Sequence, residues 1–195
     1  MRIYGNRQLK TLPGLATRPT QARVREAVFN IWQGSITGCR WLDLCAGIGS
    51  MGAEALCRGA LTAIALEKSG PACALIRHNW QLVANDSQEF RVLRGDVLKR
   101  LKSLGGEQFD RIYFDPPYQG DLYQPVLEAI ATQKLLAVEG QLAVEHSPQG
   151  WAIEPIPTLE ICQQKVYGNS AVTFFRPTVR EGGECGEGGE CGKTG

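Results

Sequence analysis

The chain has 195 residues, 43% of them hydrophobic and 21% charged, with a formal net charge of +1. That is ordinary for a soluble globular protein and enough chain for one domain with a full core. No apolar run is long enough to cross a bilayer, and Met1-Arg2-Ile3-Tyr4-Gly5-Asn6 has no secretory apolar region, so a cytoplasmic protein is expected.

In chain order, residues 2–12 alternate polar and apolar around Gly5-Asn6 and read as a short hairpin. Pro13, Gly14 and Pro19 mark a loop. From Thr20 a helix is predicted, with Val24, Ala27, Val28 and Ile31 at helical spacing and Gly34 as its stop. A rhythm of strands and helices follows. Strands are predicted at Arg40–Cys45, Leu61–Leu66, Phe90–Leu93, Arg111–Phe114 and Gln141–Glu145. Helices are predicted at Ser50–Arg58 (stopped by Gly59), Pro71–Val83, Val97–Leu104 and Leu122–Leu136. Short apolar strands alternating with helices imply a mostly parallel sheet covered on both faces. Leu159–Val166 and Ala171–Arg176 flank Tyr167-Gly168-Asn169-Ser170 and read as a closing antiparallel hairpin.

Charge is uneven along the chain. Residues 1–40 carry Arg2, Arg7, Lys10, Arg18, Arg23, Arg25 and Arg40 against one acid, Glu26. A basic end on a near-neutral protein suits a phosphate-rich partner; a solvated mixed-charge face is the plainer alternative. Residues 181–195 are rich in Gly and Glu and are expected to be disordered, because they offer almost no apolar surface to bury. Gly192-Lys193-Thr194 does not complete a phosphate loop, since Glu187 stands where that loop needs glycine. Cys185 and Cys191 are too few ligands for a metal site. The seven cysteines are expected to be reduced thiols, and no metal is expected.

Two segments carry chemistry. The first is Leu42-Asp43-Leu44-Cys45-Ala46-Gly47-Ile48-Gly49-Ser50-Met51-Gly52, a G-x-G-x-x-G spacing between a strand and a helix. Such a turn lets a ligand touch backbone beside the positive end of a helix. Glu67, ending the next strand, suits ribose hydroxyls. A nicotinamide cofactor fits this far, but Asp43 at the strand end would repel a pyrophosphate. S-adenosylmethionine (SAM) carries an ammonium and a sulfonium instead. Asp96 ends the third strand, where it suits an adenine amine, with Val97 packing on the ring. A helix cap is the plain reading of Asp96, and a tight turn that of the glycines.

The second segment is Asp115-Pro116-Pro117-Tyr118, after the fourth strand. Proline fixes φ and has no N–H, so the segment is stiff and its carbonyls can face a ligand. An amine on an aromatic base is a weak nucleophile. Acceptors at Asp115 and the Pro116 carbonyl would hold its hydrogens and favour the positive charge that develops on it. Tyr118 could stack on a base. The plain reading is a rigid turn with a core tyrosine.

In this order the motifs resemble the Rossmann-like SAM-dependent methyltransferases that act on base amines, and within them the bacterial RsmD family. Four segments carry the likeness: Arg18-Pro19-Thr20 with Arg23-Val24-Arg25-Glu26 and Phe29-Asn30; Asp43 to Gly59; Asp115 to Tyr118; and Lys165-Val166-Tyr167-Gly168. Cys45 and Ile48 depart from the family's usual aromatic and small hydroxyl residues. The resemblance implies SAM as cofactor, a guanine amine of 16S rRNA in the small ribosomal subunit as target, and Arg18 and Thr20 near the site. It implies a division into an RNA-facing extension (1–34), a methyltransferase domain (35–180) and a tail (181–195). Site expectations follow. Asp115, Pro116, Pro117 and Tyr118 are catalytic; Asp43, Gly47, Gly49, Glu67, Asp96 and Val97 bind cofactor; Arg2, Arg7, Lys10, Arg18, Arg23 and Arg25 grip phosphates. Methylation of adenine or of DNA, a nicotinamide oxidoreductase, and a non-catalytic RNA-binding protein remain as alternatives.

Overall fold

A computed structural model describes residues 1–11, 19–117, 121–151 and 154–178, with backbone only at 19–21. Arg18, Tyr118 and the 181–195 tail, all named above, lie outside the described residues. The elements are α1 (Pro19–Ile31), β1 (Arg40–Leu44), α2 (Ser50–Cys57), β2 (Thr62–Glu67), α3 (Gly70–Val83), β3 (Glu89–Arg94), α4 (Val97–Lys102), β4 (Phe109–Phe114), α5 (Tyr123–Thr132), β5 (Leu136–His146), β6 (Leu159–Tyr167) and β7 (Ser170–Pro177). They build one seven-stranded sheet in the order β3-β2-β1-β4-β5-β7-β6. β1 to β5 pair in parallel, and β7 runs antiparallel between β5 and β6. This is an α/β Rossmann-like sheet closed by an antiparallel hairpin, as the strand and helix rhythm implied. None of the described helices is long and apolar enough to cross a membrane.

Two cores flank the sheet. On one face Trp41, Ala63, Ala65, Tyr113, Ala143 and Val172 pack under α1, α2 and α3. On the other, Leu42, Leu44, Ile112, Phe114 and Leu142 pack under α4 and α5. The alternation along β1 and β4 assigns the faces. The helix ahead of the first strand is part of the first core. Phe29 stacks on Trp41 with ring centroids 5.4 Å apart, and Trp32 meets Trp41 and Phe174 edge-on at 5.5 and 5.7 Å. Each such pair adds ~0.5–1.5 kcal/mol beyond area burial, which anchors α1 to the sheet.

α2 and α5 end in the same kind of cap, and only the second end departs from expectation. α2 ends in a Schellman cap at Gly59 (φ 95): Gly59 N–H donates to the Leu56 carbonyl and Ala60 N–H to that of Ala55, at 3.0 and 2.9 Å. α5 ends the same way, with Lys134 N–H on the Ala131 carbonyl and Leu135 N–H on that of Ile130, both at 3.1 Å. There the left-handed residue is Lys134 (φ 52), not glycine. Without the glycine signal the helix was expected to run to Leu136, which is instead the first residue of β5. Pro125 sits in the first turn of α5, where its missing N–H costs no helical bond.

Candidate active site

The register places the chemistry. Leu44 lies level with Leu66 and Phe114, and Glu67 with Arg94. The loops after β1, β2, β3 and β4 therefore leave from one edge, and β1/β4 is the point where strand order reverses. Open parallel sheets bind ligands in that crevice.

The glycine loop is built from below. Gly47 (φ 58) is exposed, and a Cβ added there would meet nothing within 4 Å, so the turn keeps an open backbone face. Gly49 (φ 74) and Gly52 serve packing instead. A Cβ on Gly52 would lie 2.1 Å from Trp80 Cζ2, and one on Gly49 2.7 Å from Trp80 Nε1. Trp80 of α3 fills that space and donates its indole N–H to the Gly49 carbonyl at 2.7 Å. Cys45 takes a left-handed conformation (φ 59) at the head of the loop. Burial and the nearby carboxylates push its thiol up to about 12, so it is no thiolate nucleophile.

Asp43 differs from an exposed cofactor ligand. It is 2% exposed, and its Oδ2 accepts the Gly52 N–H at 3.0 Å. Burial pushes it up to about 8, against the lowering effect of that hydrogen bond, and Glu67 adds to the rise. It holds the loop to the first turn of α2. Glu67 bridges two loops, its Oε2 accepting the Gly47 N–H at 2.9 Å and its Oε1 the Ser69 N–H at 2.7 Å. Asp96 N-caps α4 through Oδ1, which accepts the Lys99 N–H at 3.1 Å, and Val97 is buried beside it. The plain capping role therefore exists here; Oδ2 accepts no hydrogen bond among the described residues.

Asp115 follows β4 directly, and its N–H reaches the Leu44 carbonyl at 3.5 Å. Pro116 is buried and Pro117 exposed. Asp115 is held well above the ordinary carboxylate range, first by desolvation, then by the charges of Glu145 and Asp43. Glu145 escaped the sequence reading as a site residue. It is buried near the end of β5, one register step beyond the Phe114–Val144 pair, and its Oε2 accepts the Tyr113 hydroxyl at 2.5 Å. The signal was present, since Glu145 closed the predicted fifth strand, and acids stood near the ends of the other four. Asp43, Tyr113, Asp115 and Glu145 share one sheet face across β1, β4 and β5.

The basic residues divide. Arg2, Arg7, Lys10 and Arg23 are exposed. Arg25 is a correction: it is 7% exposed, its Nε pairs with Glu54 Oε2 at 2.6 Å, and its Nη2 donates to the Arg2 carbonyl at 3.0 Å. A cation fully engaged inside the protein cannot grip a phosphate. The Arg7 guanidinium also donates, to the Val83 carbonyl at 2.8 Å. A groove of about 460 Å³ runs along this N-terminal segment, lined by Met1, Gln8, Leu9, Lys10, Thr11 and Leu82; none of the strand-end acids lines it.

A family profile described as Conserved hypothetical protein 95 matches residues 1–176. The chain belongs to this family, the RsmD family. As an RsmD-family member it is a methyltransferase, and its relatives share most of its length. It is 27% identical over 175 residues to ribosomal RNA small subunit methyltransferase D of Haemophilus influenzae, covering 86% of this chain and 91% of that one. The structure of yhhF from Escherichia coli matches with a TM-score of 0.79 at 26% identity, covering 92% of this chain and 99% of that one. SMU.776, solved in complex with SAH, has the same fold at 15% identity and a TM-score of 0.59, covering 82% of this chain and 50% of that one.

Proposed function

We propose that this RsmD-family chain transfers the methyl group of SAM to the exocyclic amine of a guanine in 16S rRNA of the small ribosomal subunit. The observation that carries the reading is the placement of Asp115 and Pro116 at the end of β4, beside the glycine loop that ends β1. The residues fit SAM: an open backbone turn at Gly47, carboxylates in place of anion-binding cations, and a helix N-terminus beneath. The backbone of Gly47 and the carboxylates of Glu67 and Asp96 would hold it, with Val97 against the adenine, while Gly49, its N–H on the Ala46 carbonyl and its carbonyl under Trp80, shapes the turn from beneath. Asp43 acts indirectly, by fixing the loop from beneath. When bound, SAM supplies an electrophilic methyl group on its sulfonium.

The chain supplies the geometry. Asp115 in its ionised form accepts one hydrogen of the amine, and the Pro116 carbonyl accepts the other. These acceptors stabilise positive charge growing on nitrogen, in a site that needs no reorganisation to do so. Asp115 is placed to take the proton that the methylated amine then releases. Pro117 keeps the segment stiff, and Tyr118 stacks the base. Arg2, Arg7, Lys10, Arg18 and Arg23 hold RNA phosphates, so RNA affinity falls as salt rises.

Transfer of labelled methyl to small subunits lacking the mark, followed by nucleoside mass spectrometry, tests the target. N2-methylguanosine is expected; methyladenosine, or label only on DNA, would overturn the guanine assignment. Asp115→Ala should cut the single-turnover rate by ~10²–10³-fold, with SAH affinity within a few-fold of the parent. An unchanged rate would remove Asp115 from the chemistry.

A further inference from the structure

The side chain of Asn79 on α3 is fully buried and touches two parts of the chain far apart in sequence. Its Oδ1 accepts the Lys10 N–H at 3.0 Å. Its Nδ2 donates to the Lys10 carbonyl and to the Ile48 carbonyl, both at 3.1 Å. An amide group alone offers a donor pair and an acceptor in one plane, and here all three are engaged. The next residue, Trp80, donates to the next loop carbonyl, Gly49. Helix α3 thus grips consecutive carbonyls of the cofactor loop. The Gly49 N–H of the same rigid peptide donates to the Ala46 carbonyl at 2.7 Å, so Asn79 and that turn bond together fix the tilt of one plane of the loop.

The other end of this clamp is the basic arm. Residues 1–10 form a small hairpin, closed by Leu9 N–H on the Met1 carbonyl at 2.8 Å and Ile3 N–H on the Arg7 carbonyl at 3.0 Å. Its exposed side presents Arg2, Arg7, Lys10 and Tyr4, with the Arg58 guanidinium over the Tyr4 ring at 4.4 Å. Only Ile3 and Leu9 are buried in the hairpin. An element with so few apolar anchors undocks at a lower free energy than the core. When it is docked, Asn79 has all its partners. When it is undocked, a buried amide loses two of three, and nothing holds its plane against the Ile48 carbonyl.

We propose that Asn79 is a positioning residue through which the docked arm sets the shape of the cofactor loop, so that RNA held by the arm and cofactor held by the loop bind with reciprocal coupling. This rests on the RNA-methylating role proposed above. RNA phosphates favour the docked arm, on which Arg2, Arg7 and Lys10 are exposed. The docked arm completes the Asn79 clamp, and the clamped loop presents the backbone that holds cofactor. Linkage requires each ligand to raise the other's affinity by one factor.

The test is equilibrium dialysis of labelled SAH against the full chain, with and without saturating unmodified small ribosomal subunits. For the parent protein the subunits should lower the SAH Kd by about 5–10-fold, near the lower end of ordinary coupling. In Asn79→Asp, which keeps the acceptor and loses both donations, that ratio should fall below about 2. Lys10→Pro removes the N–H from the arm side and the ammonium with it, and Lys10→Gln, which keeps the N–H, is its control: the ratio should fall in Lys10→Pro and hold in Lys10→Gln, and an equal fall in both would overturn the clamp. A merely structural Asn79 would lower stability and SAH affinity in both conditions and leave the ratio unchanged. A ratio near 1 in the parent, or a preserved ratio in folded Lys10→Pro, overturns the coupling. If the parent does not bind the subunits at all, the substrate assignment fails and the coupling falls with it; subunits that bind without changing SAH affinity defeat the coupling alone.

Discussion

Asp43→Asn isolates the effect of a carboxyl sealed beneath the glycine loop. Asp43 rises from 3.8 to about 8 in the folded chain, chiefly through burial. Between those values the unfolded chain has lost the proton and the folded chain keeps it, so stability falls as pH rises, and the loss is complete above about 8. At ~1.4 kcal/mol per pH unit, the penalty grows by about 4 kcal/mol between pH 5 and pH 8 as a ceiling. Loop relaxation and water entry reduce this, and about 2 kcal/mol is expected. Asparagine keeps an acceptor for the Gly52 N–H but cannot ionise. Urea unfolding of parent and Asp43→Asn at pH 5, 7 and 8 should therefore show the variant gaining on the parent as pH rises. A constant difference across that range would refute the argument that burial holds Asp43 protonated.

Three further outcomes follow from named contacts. Gly52→Ala should cost about 2–3 kcal/mol, because its Cβ would fall 2.1 Å from Trp80 Cζ2; Gly47→Ala, with open space and only a left-handed φ to strain, should cost about 1 kcal/mol, and equal losses in thermal melts would contradict this division. Arg23→Ala should lower the salt dependence of RNA binding by about one counterion. Arg25→Ala should leave that slope alone and destabilise the fold by about 3 kcal/mol, since among the described residues Glu54 keeps only Arg58 as a partner; a reduced slope would return Arg25 to the RNA surface. Glu145→Gln removes one of the charges that hold Asp115 high. The role proposed for Asp115 requires its ionised form, so activity should be lost as pH falls through its raised value, and the variant's acidic limb should move to lower pH. A limb that stays in place would separate Glu145 from Asp115.

What the sequence revealed and what it hid divide along one physical line. Strand order, the loop positions and the antiparallel hairpin were legible because periodicity and turn residues are local signals. Gly59 announced the end of α2, but Lys134 does the same work at the end of α5 without glycine, and β5 lost its first residues in the reading. Side-chain destinations are not local. Arg23 and Arg25 are near neighbours in a basic run, yet helical spacing sends one to solvent and the other to Glu54 of α2. Asp43 read as a cofactor ligand because it ends a strand in the right place, while its face of the sheet turns it toward Gly52. Glu145 closes the most instructive case. An acid ending a fifth strand carries no mark of function by itself. Its weight comes from β5 lying beside β4, which places it against the Tyr113 hydroxyl and, one register step beyond the Phe114–Val144 pair, level with Asp115. Its charge raises the cost of ionising Asp115. That cost is what ties the end of β5 to the chemistry proposed at the end of β4.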